Sequence, residues 1–309
     1  MHETSADGSV WTHRHHYVSQ LREIVEDDFA MEDSATSATP ELHATFQSLV
    51  GALAWLTLTM VPICVYVAHL QRQCKQCCYG DIRNANRLLR WIVRNTPKLG
   101  LRYNKLEEPL ELTVISDSAF KALDYQGLVM RGCVVVLREA GQLKKGTRCK
   151  VQVLDWYSKK HTHVVRSTYA AELHSLLDAV NQGLVLIYAL TELRSGALTA
   201  LDLVKRLGAG DWAIPMSACI DAKAVFDNIV ADVVKTPYDK HLLVHALAVR
   251  EFLRSRSVHS LYWIDTNDML ADGLTKGSID RVSLVLATYI GEWVLSGLSP
   301  VLYQEPGVP

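Results

Sequence analysis

The chain lacks any surplus of charge: 32 Lys and Arg against 33 Asp and Glu leave a formal charge of -1 over 309 residues. That excludes a polyanion binder working through bulk positive charge, and directs attention to local charge. It also lacks the cysteine pattern of a disulfide scaffold, because seven cysteines are an odd number, are irregularly spaced and follow no cleavable leader. A reducing intracellular compartment, cytoplasmic or nuclear, is the expectation. Apolar residues are not scarce: at 49% they can fill a sizeable core, which excludes collagen, coiled-coil array and wholly disordered chain.

Residues 1 to 45 carry Glu3, Asp7, Glu23, Glu26, Asp27, Asp28, Glu32, Asp33 and Glu41 against Arg14 and Arg22, and end in the loop-like run Ser34 to Pro40. This composition predicts a mobile acidic arm, with His13, His15 and His16 solvated. Leu49 to Leu70 is an uncharged run of membrane-spanning length. Pro62 in its middle, with Gly51 and His69, favours two buried helices broken near the proline, and a single membrane span is the alternative. Cys64, His69, Cys74 and Cys77 have a spacing compatible with zinc, but two of them lie in the apolar run and read as buried structural side chains.

From Asp81 to Lys105 the character changes. Arg83, Arg87, Arg90 and Arg94 recur at steps of four, three and four, which puts them on one helix face, with Leu88, Leu89, Trp91, Ile92 and Val93 on the buried side. Such a face is either solvated or turned to phosphate. A second basic stretch, residues 138 to 166, includes Lys159 and Lys160. Strands are expected at Leu112 to Ser116, Leu128 to Arg138, Arg148 to Tyr157, Ile214 to Ile220 and Val258 to Ile264. Helices are expected after Ser167 and from Asp239 to Arg254. The order βββαβαβα demands a mixed sheet, three antiparallel strands and then two parallel ones, with flanking helices.

Four acids fall at element boundaries of that scheme: Asp117, Glu172, Asp221 and Asp272. If the first and fourth strands are neighbours, Asp117 and Asp221 lie side by side and the first long helix presents Glu172 over them. Charges near 4 Å apart repel by roughly 4 kcal/mol per pair at an effective dielectric of 20, so the cluster needs cations. Hard oxygen ligands with open positions suit magnesium.

At these residues the chain resembles the ribonuclease H domain of Ty1/copia-type retrotransposon polyproteins, with the helical connection region of the reverse transcriptase before it. FQSLVGALAWLTLTMVP, NRLLRWIVRNTPKLGLRY, ISDSAF, RGCVVVL, WYSKKHTHVVRSTYAAELHSL, CIDAKAVFDNI, KHLLVHALAVREFL and YWIDTNDMLADGLTKG follow in the family's order. The order is more specific than any single segment. Val61 and Ile63 flank Pro62 where the family has arginine and aspartate, and ISDSAF keeps the acid of the family's SDADW pattern but changes its neighbours.

The resemblance implies a ribonuclease H-like five-stranded sheet at 108 to 277, after a connection region at 46 to 107 and before a C-terminal helix and tail at 278 to 309. It implies hydrolysis of the RNA strand of an RNA/DNA hybrid, with Asp117, Glu172, Asp221 and Asp272 as catalytic acids and ligands of two magnesium ions, replaceable by manganese. Asp268 competes with Asp272 for the fourth position. Nucleic-acid contacts fall to Arg83, Arg87, Arg90, Arg94, Lys159, Lys160, Lys240 and His241, and a polymerase domain would come from elsewhere in a polyprotein. An inactive remnant that only binds nucleic acid is the alternative from another function class.

Overall fold

A mixed seven-stranded sheet with helices on both faces carries most of the chain in the computed structural model, which describes residues 1–25, 33–120, 129–161 and 164–304. In chain order the elements are β1 (His2–Thr4), β2 (Val10–Thr12), α1 (His15–Gln20), α2 (Pro40–Leu56), α3 (Cys64–Arg72), α4 (Tyr79–Asn95) and β3 (Leu101–Tyr103). Then follow β4 (Leu110–Ala119), β5 (Met130–Glu139), β6 (Arg148–Lys160), α5 (Thr168–Ser195), α6 (Ala200–Ala209), β7 (Met216–Ile220), α7 (Lys223–Val230), α8 (Leu242–Arg254) and β8 (Ser260–Trp263). α9 (Asp272–Thr275), α10 (Val282–Tyr289), β9 (Glu292–Val294) and β10 (Val301–Tyr303) complete the fold.

Strand order in the large sheet is β10-β8-β7-β4-β5-β6-β9. The central strand β4 runs antiparallel to β5 and parallel to β7, β5 is antiparallel to β6, and β7 is parallel to β8. The expected five strands become seven, because β9 and β10 add themselves to the two edges through three-residue pairings. Segments so short carry no alternation to read in sequence.

Both faces of the central strands are dry, and β4 and β5 show it by alternation. Leu112 and Val114 of β4 and Cys133 and Val135 of β5 face the core under α5, α7 and α8. Ile115, Val134 and Val136 face the opposite core, with Leu274, Leu284 and Trp293. Side chains of a strand point alternately to opposite faces, so a sheet covered on both sides reads as nearly continuous apolar runs. α5 starts at Ser167, whose hydroxyl accepts from Ala170 N. It lies close against the sheet at Gly183, where a Cβ would meet the Val114 and Met216 side chains.

The first 25 residues are not a mobile arm. β1 and β2 form a hairpin that pairs with β3, and Trp11, His13, Val18 and Ile24 are buried. His13 is not solvated: its Nε2 meets Glu3 Oε1 at 2.9 Å, and His15 Nε2 approaches the Leu99 carbonyl at 3.1 Å. The composition was acidic, but the few apolar side chains at the right places sufficed to dock it. Glu26 to Glu32 lie outside the described residues.

The Leu49–Leu70 run ends α2, turns through a short 3-10 helix at Val61–Ile63 and enters α3. Val61 and Ile63 are fully buried, so the charged pair of the resembling family would have no water there. Cys64 and Cys77 are buried among apolar neighbours, and burial pushes the Cys64 thiol up to about 12, as expected of structural cysteines. Trp156 Nε1 donates to the Thr57 carbonyl at 3.0 Å, tying the helices to the sheet. Among the described residues one helix, α5, is long and apolar enough to cross a membrane. Its Ala171, Leu176, Val180 and Ile187 lie wholly buried against the sheet.

Candidate metal centre and nucleic-acid interface

Register builds the centre. Ile115 of β4 pairs with Cys219 of β7 in a parallel ladder, and two residues further along each chain stand Asp117, still in β4, and Asp221, just past the end of β7. α5 crosses over that end of the sheet and supplies Glu172. Its Ser175 hydroxyl donates to the Asp117 carbonyl at 2.8 Å, which fixes the helix over the strand end. One carboxylate oxygen from each of Asp117, Glu172 and Asp221 lies within 4.8 Å of the others. Asp117 and Glu172 are buried, at 1% and 7% exposure.

A further set of side chains arrives from the opposite face on α9. Gly132 is the β5 partner of Asp117, and a Cβ there would come within 2.8 Å of Thr275 and 2.9 Å of Leu274. Its bare backbone allows α9 to press against the strands. Thr275 then donates its hydroxyl to Asp117 Oδ2. Lys276 Nζ lies 2.5 Å from Asp272 Oδ1 and 3.5 Å from Asp117 Oδ1. Asp268 points elsewhere: its carboxylate accepts from Ser296 N and Gly297 N, each at 2.9 Å, and holds the C-terminal loop. Of the two candidates for the fourth acid, Asp272 is the one that faces the cluster.

Burial pushes the Asp117 carboxyl up to about 6, and the neighbouring Asp272 charge adds to the shift. Burial, then the charges of Asp117 and Asp221, push Glu172 up to about 9. Asp221 and Asp272 are raised too, each mainly by burial. Burial pulls Lys276 down, but Asp117, Asp272 and Asp221 outweigh it and leave the ammonium group with a raised pKa. Thus among the described residues one cation, Lys276, compensates several acids, and the Asp117, Glu172 and Asp221 side of the cluster has less positive charge than negative. Three hard oxygen donors lie within one ion's reach and could hold a metal ion.

The basic candidates fall into two groups. On α4, Arg87 and Arg94 are exposed, while Arg83 donates to the Ser34 hydroxyl at 2.7 Å and Arg90 pairs with Glu23 at 2.6 Å. An acid does therefore reach this face, from the N-terminal segment and not from the helix itself. Trp91 and Val93, expected on the buried side, are 40% and 53% exposed. Near the sheet, Lys159 lies over the Tyr157 ring at 4.8 Å, Lys160 ends β6, and Lys240 and His241 are exposed just before α8.

Sequence reasoning missed Thr275, Lys276 and Ser175. Lys276 had a signal, since it stands four residues after Asp272 and an (i, i+4) acid and base meet on a helix. The other two act through tertiary packing alone.

No protein-family model matches the chain, and no curated protein matches it. Among solved structures, an N-terminal RNase H domain from Mycobacterium tuberculosis, determined as a fusion with maltose-binding protein, is similar at 16% identity. The match covers 54% of this chain and 91% of that one, with a TM-score of 0.32. A superposition that loose fixes neither fold nor activity.

Proposed function

We propose that this chain is a ribonuclease H-like hydrolase that cuts the RNA strand of an RNA/DNA hybrid, derived from the Pol polyprotein of a Ty1/copia-type retrotransposon. The observation that carries the reading is the convergence of Asp117, Glu172 and Asp221 at the carboxyl ends of two parallel strands. The central strand order β8-β7-β4-β5-β6 and the eight ordered sequence segments support the descent.

Asp117, Glu172 and Asp221 would hold one divalent ion, magnesium or manganese. Asp117 with Asp272 would hold a second, on the side that Lys276 now neutralises. Such ions supply Lewis acidity toward a phosphoryl group and its leaving oxygen. The chain's own residues do the positioning. Thr275 and Ser175 fix Asp117 from the two faces of the sheet, and Thr266 donates to Asp221 Oδ2 at 2.8 Å. With its pKa near 9, Glu172 retains a proton at neutral pH until a cation competes for its carboxylate.

Hybrid recognition would rest on groove shape, phosphates and the RNA 2′-hydroxyls. Arg83, Arg87, Arg90 and Arg94 on α4, with Lys159, Lys160, Lys240 and His241, are the proposed contacts. A reverse transcriptase polymerase domain from another part of a polyprotein is the proposed partner. One observation favours a second reading, a nucleic-acid binder that no longer cuts: Lys276 already lies between two of the acids.

Cleavage of a hybrid labelled on its RNA strand decides between them. Magnesium-dependent cutting that falls at least 100-fold in Asp117→Asn and in Asp221→Asn is expected. Binding without cutting, or equal cutting by all three proteins, would overturn the hydrolase.

A further inference from the structure

A cavity of about 890 Å³ separates α3 and α4 from the end of the sheet and α10. Its wall carries four cations, Arg72, Arg87, Lys98 and Arg281, against Asp280. Two of them are committed: Arg72 donates to His69 Nδ1 at 2.7 Å, and Arg281 donates to the Ile279 carbonyl at 2.9 Å and to the Lys276 carbonyl. Arg87 and Lys98 have no ion-pair partner among the described residues, so the cavity wall favours an anion.

The same wall holds Trp91 on α4 and Tyr66 on α3. The Arg281 guanidinium covers the Tyr66 ring at 4.6 Å, and the Tyr66 hydroxyl donates to the Gly277 carbonyl at 2.8 Å. Trp91 is different. It is 40% exposed, lies one turn beyond Arg87 on the same helix, and among the described residues neither a ring nor a cation lies over it.

The cavity also borders the acid cluster. Thr275, which donates to Asp117, forms part of its wall, as do Ala119, two residues beyond Asp117, and Met130 at the start of β5. A strand engaged at Asp117 therefore has this cavity beside it.

We infer that this cavity binds unpaired nucleotides of a single nucleic-acid strand, with a base stacked on Trp91 and its phosphates against Arg87 and Lys98. An open indole face accepts a base only when that base is not paired inside a duplex, and base stacking combined with cationic tracking of the backbone is how single strands are held. A cavity of this volume lies in the range of sites for small ligands, suited to one or a few nucleotide units. The inference deepens the hydrolase reading, on which it rests for the nature of the strand: the enzyme would grip an unpaired extension next to the hybrid it cuts.

The test is fluorescence anisotropy of the full chain with labelled 12-nucleotide single-stranded DNA and RNA, in chelator, with cleavage of a hybrid measured in parallel. Trp91→Ala should weaken single-strand binding by roughly 5- to 150-fold, and Trp91→Phe, which keeps a ring face, should restore most of it. Arg87→Gln should reduce the slope of log affinity against log salt by about 0.7. A mononucleotide should compete only at concentrations far above those of the 12-mer.

Unchanged binding in Trp91→Ala and Arg87→Gln, with both variants folded by their melting curves, would overturn the inference whatever happens to cleavage. Equal competition by a mononucleotide would also overturn it, as would an acidic peptide competing as well as the strand. Loss of all cleavage with single-strand binding still dependent on Trp91 would leave the inference intact and remove only the hydrolase reading.

Discussion

Strand β4 buries a carboxylate near each end, and the two are treated in opposite ways. Near its start, Glu111 pairs with Arg138 at 2.8 Å; Arg138 is fully buried, and its Nε donates to the Thr113 hydroxyl at 2.8 Å. Six residues later Asp117 is equally buried, but its neighbours are Glu172, Asp221 and Asp272, with Lys276 alone among the described residues as partial compensation. A buried acid that serves structure is matched by a base, as Glu111 is, or by hydrogen-bond donors, as Asp268 is. Acids gathered at one strand end are instead held together against their own repulsion, which protonation or an added cation relieves.

The sharpest way to break this comparison is to remove charge at each end of β4 and read stability in chelator. Glu111→Gln leaves Arg138 buried without its counter-charge and should cost about 3–5 kcal/mol, seen as a large fall in denaturation midpoint. A loss under 1 kcal/mol would mean that the two ends are not treated differently.

Next in size is Gly132→Ala, whose Cβ would collide with Thr275 and Leu274. Pushing α9 away should cost about 1–3 kcal/mol and withdraw Thr275 and Lys276 from Asp117. A melting curve identical to that of the wild type would show that α9 does not depend on that close approach.

The remaining effect has the opposite sign. Unfolded Asp and Glu titrate near 4, whereas folded Asp117 and Glu172 titrate at about 6 and about 9. Between those values the folded state holds more protons than the unfolded one, so these two groups lower stability as pH rises from about 4 through about 9. Without metal, Glu172→Gln should therefore be more stable than wild type at pH 8 and nearly equal to it at pH 4, measured by urea denaturation. A variant less stable than wild type at pH 8 would place Glu172 with Glu111, as a paired structural acid.

The two ends of β4 were not equally legible in the sequence. Asp117 and Asp221 stand where apolar strands stop, and a register offset that is constant along a parallel ladder brings such positions together. Glu172 follows a clear N-cap and falls where α5 crosses the strand ends. The Glu111–Arg138 pair gave no signal, because two residues 27 apart become neighbours only through a hairpin register. Thr275 was hidden for a similar reason: it reaches Asp117 because Gly132 has no side chain, and a lone glycine in a strand does not say what approaches it. The N-terminal hairpin was missed because its strands are three residues long and its composition is polar.

The central claim is that the acids around Asp117 are gathered for a cation, and titration calorimetry of manganese into the chain measures that directly. Wild type should bind manganese, with affinity reduced at least tenfold in both Asp117→Asn and Asp221→Asn, and unchanged in Asp268→Asn provided that variant remains folded. Equal affinity in all four proteins, or no binding by the wild type, would contradict the account.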